Sequence, residues 1–261
     1  MVPIVLTSYN RADSLQRTID SLVQTVWPPE PTRLIVYDDS STEPETIRVL
    51  DKFADDARLT SQDVEVIYNW PPDCRLGPHV NTVMALQQTF LRFPDSHGVI
   101  SIENDLVFNP DWLTRLLGLV WWAGQPTSDS TAAYLEGSRI AVCSAYNSVL
   151  HPPLRDATMP VAGPFGADDY HLKHATGGGH ACYYPRWFWV GMGVMDRFVK
   201  QYRAVTWTRL GWDEAPVRVA MEHDCVYACL CPSAVDHLGQ EGGSSPAACR
   251  EHAADFAEGA P

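Results

Sequence analysis

The chain has 261 residues, 45% of them hydrophobic and 20% charged, with 32 acidic against 19 basic residues and a formal net charge of −13. This is the composition of a globular, soluble chain able to bury a full core, in one large domain or two small ones. Its acidity argues against nonspecific binding to nucleic acid or anionic membrane. The run Val2–Thr7 has no charged stretch before it and is too short for a signal peptide or a membrane span, so a cytoplasmic protein is expected. Seven cysteines are an odd number without paired CxxC motifs, and Cys225, Cys229 and Cys231 lie in an apolar context; they read as buried reduced thiols.

The first half alternates strand and helix. Pro3-Ile4-Val5-Leu6 is apolar on both faces, as a central parallel strand should be. Leu15, Ile19, Leu22, Val23 and Val26 follow at helical spacing. Leu34-Ile35-Val36-Tyr37 is a second strand and Glu43–Ala57 a second helix; Val64–Tyr68 is a third strand and Asn81–Phe93 lies in a third helix. A fourth strand, Val99–Ile102, runs into Glu103-Asn104-Asp105, and Pro110 is expected at the first position of the next helix. This βαβαβαβ order implies a parallel sheet with right-handed crossovers, with ligands beyond the carboxyl ends of its strands.

Those ends are polar: Thr7-Ser8-Tyr9-Asn10-Arg11, then Asp38-Asp39-Ser40-Ser41, then Asp73, Arg75 and Gly77, then Glu103 and Asp105. Glu103 and Asp105, spaced i and i+2, can project together at a strand end. Two such carboxylates repel unless a cation lies between them, and a hard divalent ion with oxygen ligands meets that need. The convergence suggests a nucleotide site with a metal. No GxGxxG follows the first strand and no GxxxxGK[ST] occurs, which argues against a dinucleotide fold and excludes a P-loop.

The segments VPIVLTSYNRADSLQRTIDSL, LIVYDDSSTEPETIRVL, CRLGPHVNTVMAL and ISIENDLVFNPDWL resemble the GT-A-fold, family 2-like glycosyltransferases, over roughly residues 2–240 and most strongly over the first 115. The resemblance implies an α/β, Rossmann-like GT-A fold: a mostly parallel central sheet flanked by helices, with a smaller acceptor-side subregion. It implies a donor-binding half over 1–115 and an acceptor-binding and catalytic half over 116–240 of one domain; the Gly-, Ser- and Ala-rich composition beyond reads as a flexible tail over 241–261. By motif match, Thr7, Ser8, Asn10, Arg11, Asp38 and Asp39 would hold the base and ribose of a nucleotide-sugar, and Arg75 and Asn81 would line the donor pocket. Glu103-Asn104-Asp105 stands where the family keeps its DxD motif, with Glu103 and Asn104 on the donor and Asp105 on the metal; Glu103 departs from the usual Asp.

The second half is less regular. His151–Asp169 is rich in Pro and Gly and reads as a long loop; Gly177-Gly178-Gly179-His180 precedes a strand at Ala181–Tyr184. The dense aromatics Tyr183, Tyr184, Trp187, Phe188, Trp189, Trp207 and Trp212 are mostly core residues by this reading. Asp213-Glu214 opens a helix over Ala215–His223, with Pro216 in its first turn, and a strand over Val226–Leu230 leads to His237. This resembles the family's xED motif and C-terminal metal-binding His, which makes Asp213 or Glu214 the general base, with Asp224 a third choice. The acids could equally cap the helix. An imidazole beside a carboxylate suits Mn²⁺ rather more than Mg²⁺.

The expectation is a metal-dependent enzyme transferring a hexosyl or pentosyl group from a nucleotide-sugar, a UDP-sugar first, to an acceptor hydroxyl with inversion. The acceptor would be a glycan, a small molecule or, as in phage-type enzymes, a hydroxymethylated DNA base. Arg186, Arg197, Lys200, Arg203, Arg209 and Arg218 would form the phosphate track for DNA. A non-catalytic sugar-nucleotide-binding module is the alternative from another class, and a nucleotidyltransferase is disfavoured by the missing Gly- and Arg-rich first loop.

Overall fold

The structure, a computed structural model, describes residues 1–56, 63–68, 75–124, 139–148, 153–154, 159–163, 166–175, 180–204, 211–238, 253 and 256. The expectations placed on Asp73, Gly177-Gly178-Gly179, Trp207, Arg209 and most of the 241–261 tail lie outside these residues.

The first half runs β1 (Val2–Ser8), α1 (Ala12–Val23), β2 (Thr32–Asp38), α2 (Pro44–Asp56), β3 (Asp63–Tyr68), α3 (Pro78–Arg92), β4 (Gly98–Glu103), β5 (Leu106–Phe108) and α4 (Trp112–Ala123). The second half adds β6 (Arg139–Ser144), β7 (Met159–Gly163), β8 (Gly166–Lys173), β9 (Cys182–Pro185), α5 (Arg186–Trp189), α6 (Val194–Ala204), α7 (Glu214–Glu222), β10 (Cys225–Cys231) and β11 (Val235–His237). Among the described residues, one nine-stranded sheet has the order β3-β2-β1-β4-β9-β6-β10-β8-β7, and β5 and β11 form a separate two-stranded ribbon. Strands β3, β2, β1 and β4 are mutually parallel. The sheet departs from parallel at β9, which lies antiparallel between β4 and β6, and again at β8 and β7; β6 and β10 are parallel.

The apolar alternation of the strands explains the three layers. Ile4, Leu6, Leu34, Val36, Ile100 and Ile102 face one core with Leu15 and Ile19 of α1, Leu50 and Phe53 of α2, and Trp112 and Leu116 of α4. Val5, Ile35, Tyr37 and Val99 face the other, with Leu86 and Phe90 of α3, Trp189 of α5, Phe198 of α6 and Val219 of α7. Period-2 side-chain alternation in strands buried on both faces requires this division. Tyr183, Tyr184, Phe188, Trp189 and Trp212 are buried, as a core role demands. The described cysteines, Cys143, Cys182, Cys225, Cys229 and Cys231, are free thiols. No helix among the described residues is long and apolar enough to cross a membrane.

Two expectations need correction, and the third helix, which contains Asn81 as expected, gains its start. The helix after the acidic triplet begins at Trp112, not at Pro110. Leu106–Phe108 first pairs with β11 as β5, and the Pro110 carbonyl accepts the Val26 N–H at 2.8 Å, so the proline sits in the connecting turn. The third helix begins at Pro78, three residues before Asn81, because Pro78 takes the first-turn position that needs no N–H partner. The loop read over His151–Asp169 contains strand: β7 and the start of β8 pair as a hairpin, and β8 continues onto β10. Partner strands on the sheet edge override the weak local propensity of that Pro- and Gly-rich segment.

Candidate active site

The β5–β11 ribbon builds one side of the site. In register, His237 lies opposite Leu106, and the Leu238 N–H donates to the Asp105 carbonyl at 2.8 Å. Residues 132 positions apart are thereby held side by side, with His237 Nε2 3.3 Å from Asp105 Oδ2. The same Oδ2 accepts from Arg11 Nη1 at 2.9 Å. Burial alone would raise the Asp105 carboxyl, but the His237 hydrogen bond and the charges of His237, His180 and Arg11 hold it below the ordinary aspartate range.

His180 forms the next layer. Its ring stacks on His237 at 4.4 Å between centroids and meets Tyr146 edge-on at 4.9 Å. Its Nε2 lies 3.5 Å from Glu103 Oε2. The Ser144 hydroxyl donates to the His180 carbonyl, and Ala181 turns through a left-handed backbone (φ 50°) into β9. The sequence reading gave His180 no role. Its signal was a histidine between a glycine run and an apolar strand, and only the insertion of β9 beside β4 carries it to Glu103.

Most of the residues expected to bind a donor fall at the carboxyl ends of β1, β2 and β4, where Thr7 stands beside Glu103 in register and Ser8 beside Asp38. Several of them are occupied in shaping the loops. Asn10 Oδ1 accepts the N–H groups of Thr42 and Glu43, and the Asn10 N–H donates to the Ser41 hydroxyl, which zips the β1 loop to the β2 loop. Asp38 accepts the Ser41 N–H at 2.7 Å and the Ser41 hydroxyl at 2.6 Å; burial pushes its carboxyl up against these bonds. Asp39 accepts the Leu76 and Gly77 N–H groups at 2.7 and 2.8 Å and so anchors the start of α3. Asn81 is buried and donates to the Tyr37 carbonyl, tying α3 to β2. The Asn104 amide donates to the Asn10 carbonyl at 3.4 Å. Arg75 remains half exposed, its guanidinium 3.7 Å from the centre of the Tyr9 ring.

The structure separates the two acids at the start of α7. Glu214 accepts from both Nε and Nη2 of Arg218, one turn along. Asp213 occupies the N-cap position but makes no side-chain capping hydrogen bond, so capping does not account for it. Burial and then the neighbouring Glu103 charge raise its carboxyl above the ordinary aspartate value, with His180 and His79 opposing. The Trp212 N–H donates to His79 Nδ1 at 3.3 Å, which fixes the approach to Asp213 from α3. A Cβ at Gly211 would fall on Asp213 Oδ1, so glycine there leaves the carboxylate its place. Asp224 lies exposed in the turn that opens β10, at the opposite end of that seven-residue strand from β11 and His237.

Three arginines of the expected phosphate track make contacts within the fold. Arg186 donates to the carbonyls of Phe90, Phe93 and Ser96 at the C-terminus of α3, Arg197 pairs with Glu222, and Arg218 pairs with Glu214.

The donor set at Asp105 fits a divalent cation. Asp105 Oδ1 and His237 Nδ1 are buried without a hydrogen-bond partner, leaving each side chain of this pair one further atom of ligand type. No group of three or more His, Cys, Asp or Glu among the described residues forms a complete cage.

A doubly covered sheet with a carboxylate and a histidine at its strand ends, and a second acid facing the same Glu103–His180 pair, is an arrangement of the GT-A fold. Residues 4–120 match the glycosyl transferase family 2 model. The chain is similar to Protein CgeD of Bacillus subtilis (strain 168), with 30% identity over 119 residues, covering 44% of this chain and 25% of that protein. Its fold is similar to that of GalNAc-T7 with UDP, GalNAc and Mn²⁺ (TM-score 0.60, 13% identity, 93% of this chain and 44% of that one). It is also similar to the mannosyltransferase PcManGT from Pyrobaculum calidifontis in complex with GDP-Man and Mn²⁺ (TM-score 0.50, 14% identity, 87% of this chain and 56% of that one). The chain thus spans a quarter of the curated relative and about half of each of these solved chains.

Proposed function

We propose that the chain is a metal-dependent glycosyltransferase that moves a sugar from a nucleoside-diphosphate sugar to an acceptor hydroxyl with inversion. The observation that carries this is the pairing of Asp105 with His237 across the β5–β11 ribbon, with the raised carboxyl of Asp213 within electrostatic reach of the same Glu103–His180 pair. The family match and the Mn²⁺-bound fold relatives support the class.

Asp105 and His237 would hold Mn²⁺ or Mg²⁺, which when bound neutralises the charge that grows on the departing diphosphate. The loops joined by Asn10, Asp38 and Asp39 shape the nucleotide pocket, and the Tyr9–Arg75 stack presents a flat face for the base. Asp213 takes the proton from the acceptor hydroxyl as that oxygen attacks the anomeric carbon. A raised pKa suits the task, since a stronger base accepts a proton more readily near neutral pH. Glu214 is tied to Arg218 and serves as a support of the helix start. Glu103 orients His180 and, through its charge, strengthens Asp213 as a base. A UDP-sugar is the first donor to test. A glycan or small-molecule acceptor is favoured over a DNA base, because Arg186, Arg197 and Arg218 are engaged within the fold.

The test is a panel of nucleotide-sugars incubated with the protein and Mn²⁺, reading donor hydrolysis, transfer to added acceptors and thermal shift. Turnover of one donor that stops on chelation is the expected result. A thermal shift with no turnover of any donor would assign the chain to sugar-nucleotide binding alone.

A further inference from the structure

Arg11 stands in an unusual place for a residue that opens a helix. Its backbone is left-handed (φ 61°, ψ 55°), directly after Asn10, which is left-handed as well (φ 49°). Two consecutive non-glycine residues in that region cost energy and persist only where the surroundings over-determine them. Here Glu43 accepts the Arg11 N–H at 2.9 Å, and Asn10 is fastened on both its backbone and side chain to Ser41, Thr42 and Glu43. The result of this conformation is the Arg11–Asp105 contact at 2.9 Å, beside His237 on the same oxygen.

We propose that Arg11 is the resident counter-cation of Asp105 and is exchanged for the divalent ion when donor binds. The inference rests on the metal-dependent reading of the site. The Asp105 carboxylate is mostly buried, so a guanidinium on one of its oxygens and a divalent ion on the carboxylate repel more strongly than they would in water. The guanidinium must therefore withdraw for the ion to bind well. A diphosphate gives it a destination, because the planar fork of Arg matches phosphate oxygens in pairs. The loop need not move with it: Asn104 still donates to the Asn10 carbonyl, and Glu43 still holds the Arg11 N–H. Metal and nucleotide then bind with positive coupling, since each removes a cost from the other. Metal alone binds poorly and is not trapped in a donor-free site.

The experiment is Mn²⁺ titration followed by the EPR signal of the free ion, with and without UDP, on wild type, Arg11→Gln and Asp105→Asn, each checked for folding by thermal unfolding. Without UDP, Arg11→Gln should bind Mn²⁺ roughly tenfold tighter than wild type. UDP should tighten Mn²⁺ binding to wild type by about the same factor, within the usual range of coupling between sites, and do so much less in the variant. Equal or weaker Mn²⁺ binding by Arg11→Gln, or no effect of UDP on wild type, overturns the proposal while Asp105→Asn still shows the metal site to be where it was assigned. Undiminished Mn²⁺ binding by Asp105→Asn overturns the metal assignment itself and this exchange with it. Should Arg11→Gln not fold, Arg11→Met keeps the apolar stem without the charge and is expected to show the same tightening.

Discussion

The Trp212 N–H donates to His79 Nδ1, and this bond joins the first turn of α3 to the residue that precedes the proposed base. The start of α3 is itself anchored by Asp39, which accepts the Leu76 and Gly77 N–H groups at the end of β2. A continuous set of contacts thus runs from the end of β2 to the residue before Asp213. Accepting through Nδ1 also requires His79 to carry its proton on Nε2 if it is neutral. Replacing His79 with Ala should misplace Asp213 without touching the donor pocket. The expected outcome is a kcat lower by roughly tenfold with an unchanged donor KM, the pattern of a lost transition-state interaction. A raised KM with normal kcat would place His79 on the donor instead.

Gly211→Ala offers a test at the same loop. Its Cβ would fall on Asp213 Oδ1, so the carboxylate has to swing aside, while the rest of the helix start is untouched. Transfer should fall by about tenfold or more, since small misplacements of a reacting group are expensive in rate. Thermal stability should change little. Full activity in this variant would mean that the carboxylate position seen here is not the one used.

Asp213 also makes a pH prediction. Burial raises its carboxyl above the ordinary aspartate value of 3.8. The folded state therefore binds a proton that the unfolded chain has already lost, and this group's contribution to stability falls as pH rises from 3.8 through its raised folded value. At neutral pH the ionised carboxylate is a net burden on the fold. Asp213→Asn should then raise the melting temperature at pH 7 and lose that gain as pH falls below 3.8. A proton acceptor must be ionised to work, so the acidic limb of kcat should follow the raised value. A variant less stable than wild type at pH 7 would show that the carboxylate is held by favourable contacts, contrary to this account.

Much of the scaffold was legible because it rests on local pattern. Ile4 and Leu6 alternate with Val5, and a strand that is apolar on both faces can only sit in a covered sheet. The acids at the ends of β2 and β4 could be found the same way. Their individual duties could not. Asp38 and Asp39 are neighbours in sequence, yet one closes its own turn through Ser41 and the other reaches across to α3, a difference set by tertiary packing. The β7–β8 hairpin was hidden for a similar reason: its composition favours loop, and the two segments become strand by pairing with each other, with β8 continuing onto β10. His180 was missed because its role depends on β9 slotting antiparallel between β4 and β6. Glu214 and Asp213 were indistinguishable until Arg218, one turn away, was seen to hold the former.

In the proposed mechanism, metal-supported donor binding and proton removal are carried by different residues of one site. Parallel assays of Asp213→Asn and Asp105→Asn, measuring Mn²⁺-dependent donor affinity and the rate of transfer on the same samples, test it most directly. The account predicts that Asp213→Asn keeps donor affinity within a few-fold and loses transfer by roughly 10² or more, the usual scale for a general base. It predicts that Asp105→Asn loses the metal-dependent part of donor binding and transfer together. Near wild-type transfer by Asp213→Asn, or metal-dependent donor binding that survives in Asp105→Asn, would contradict it.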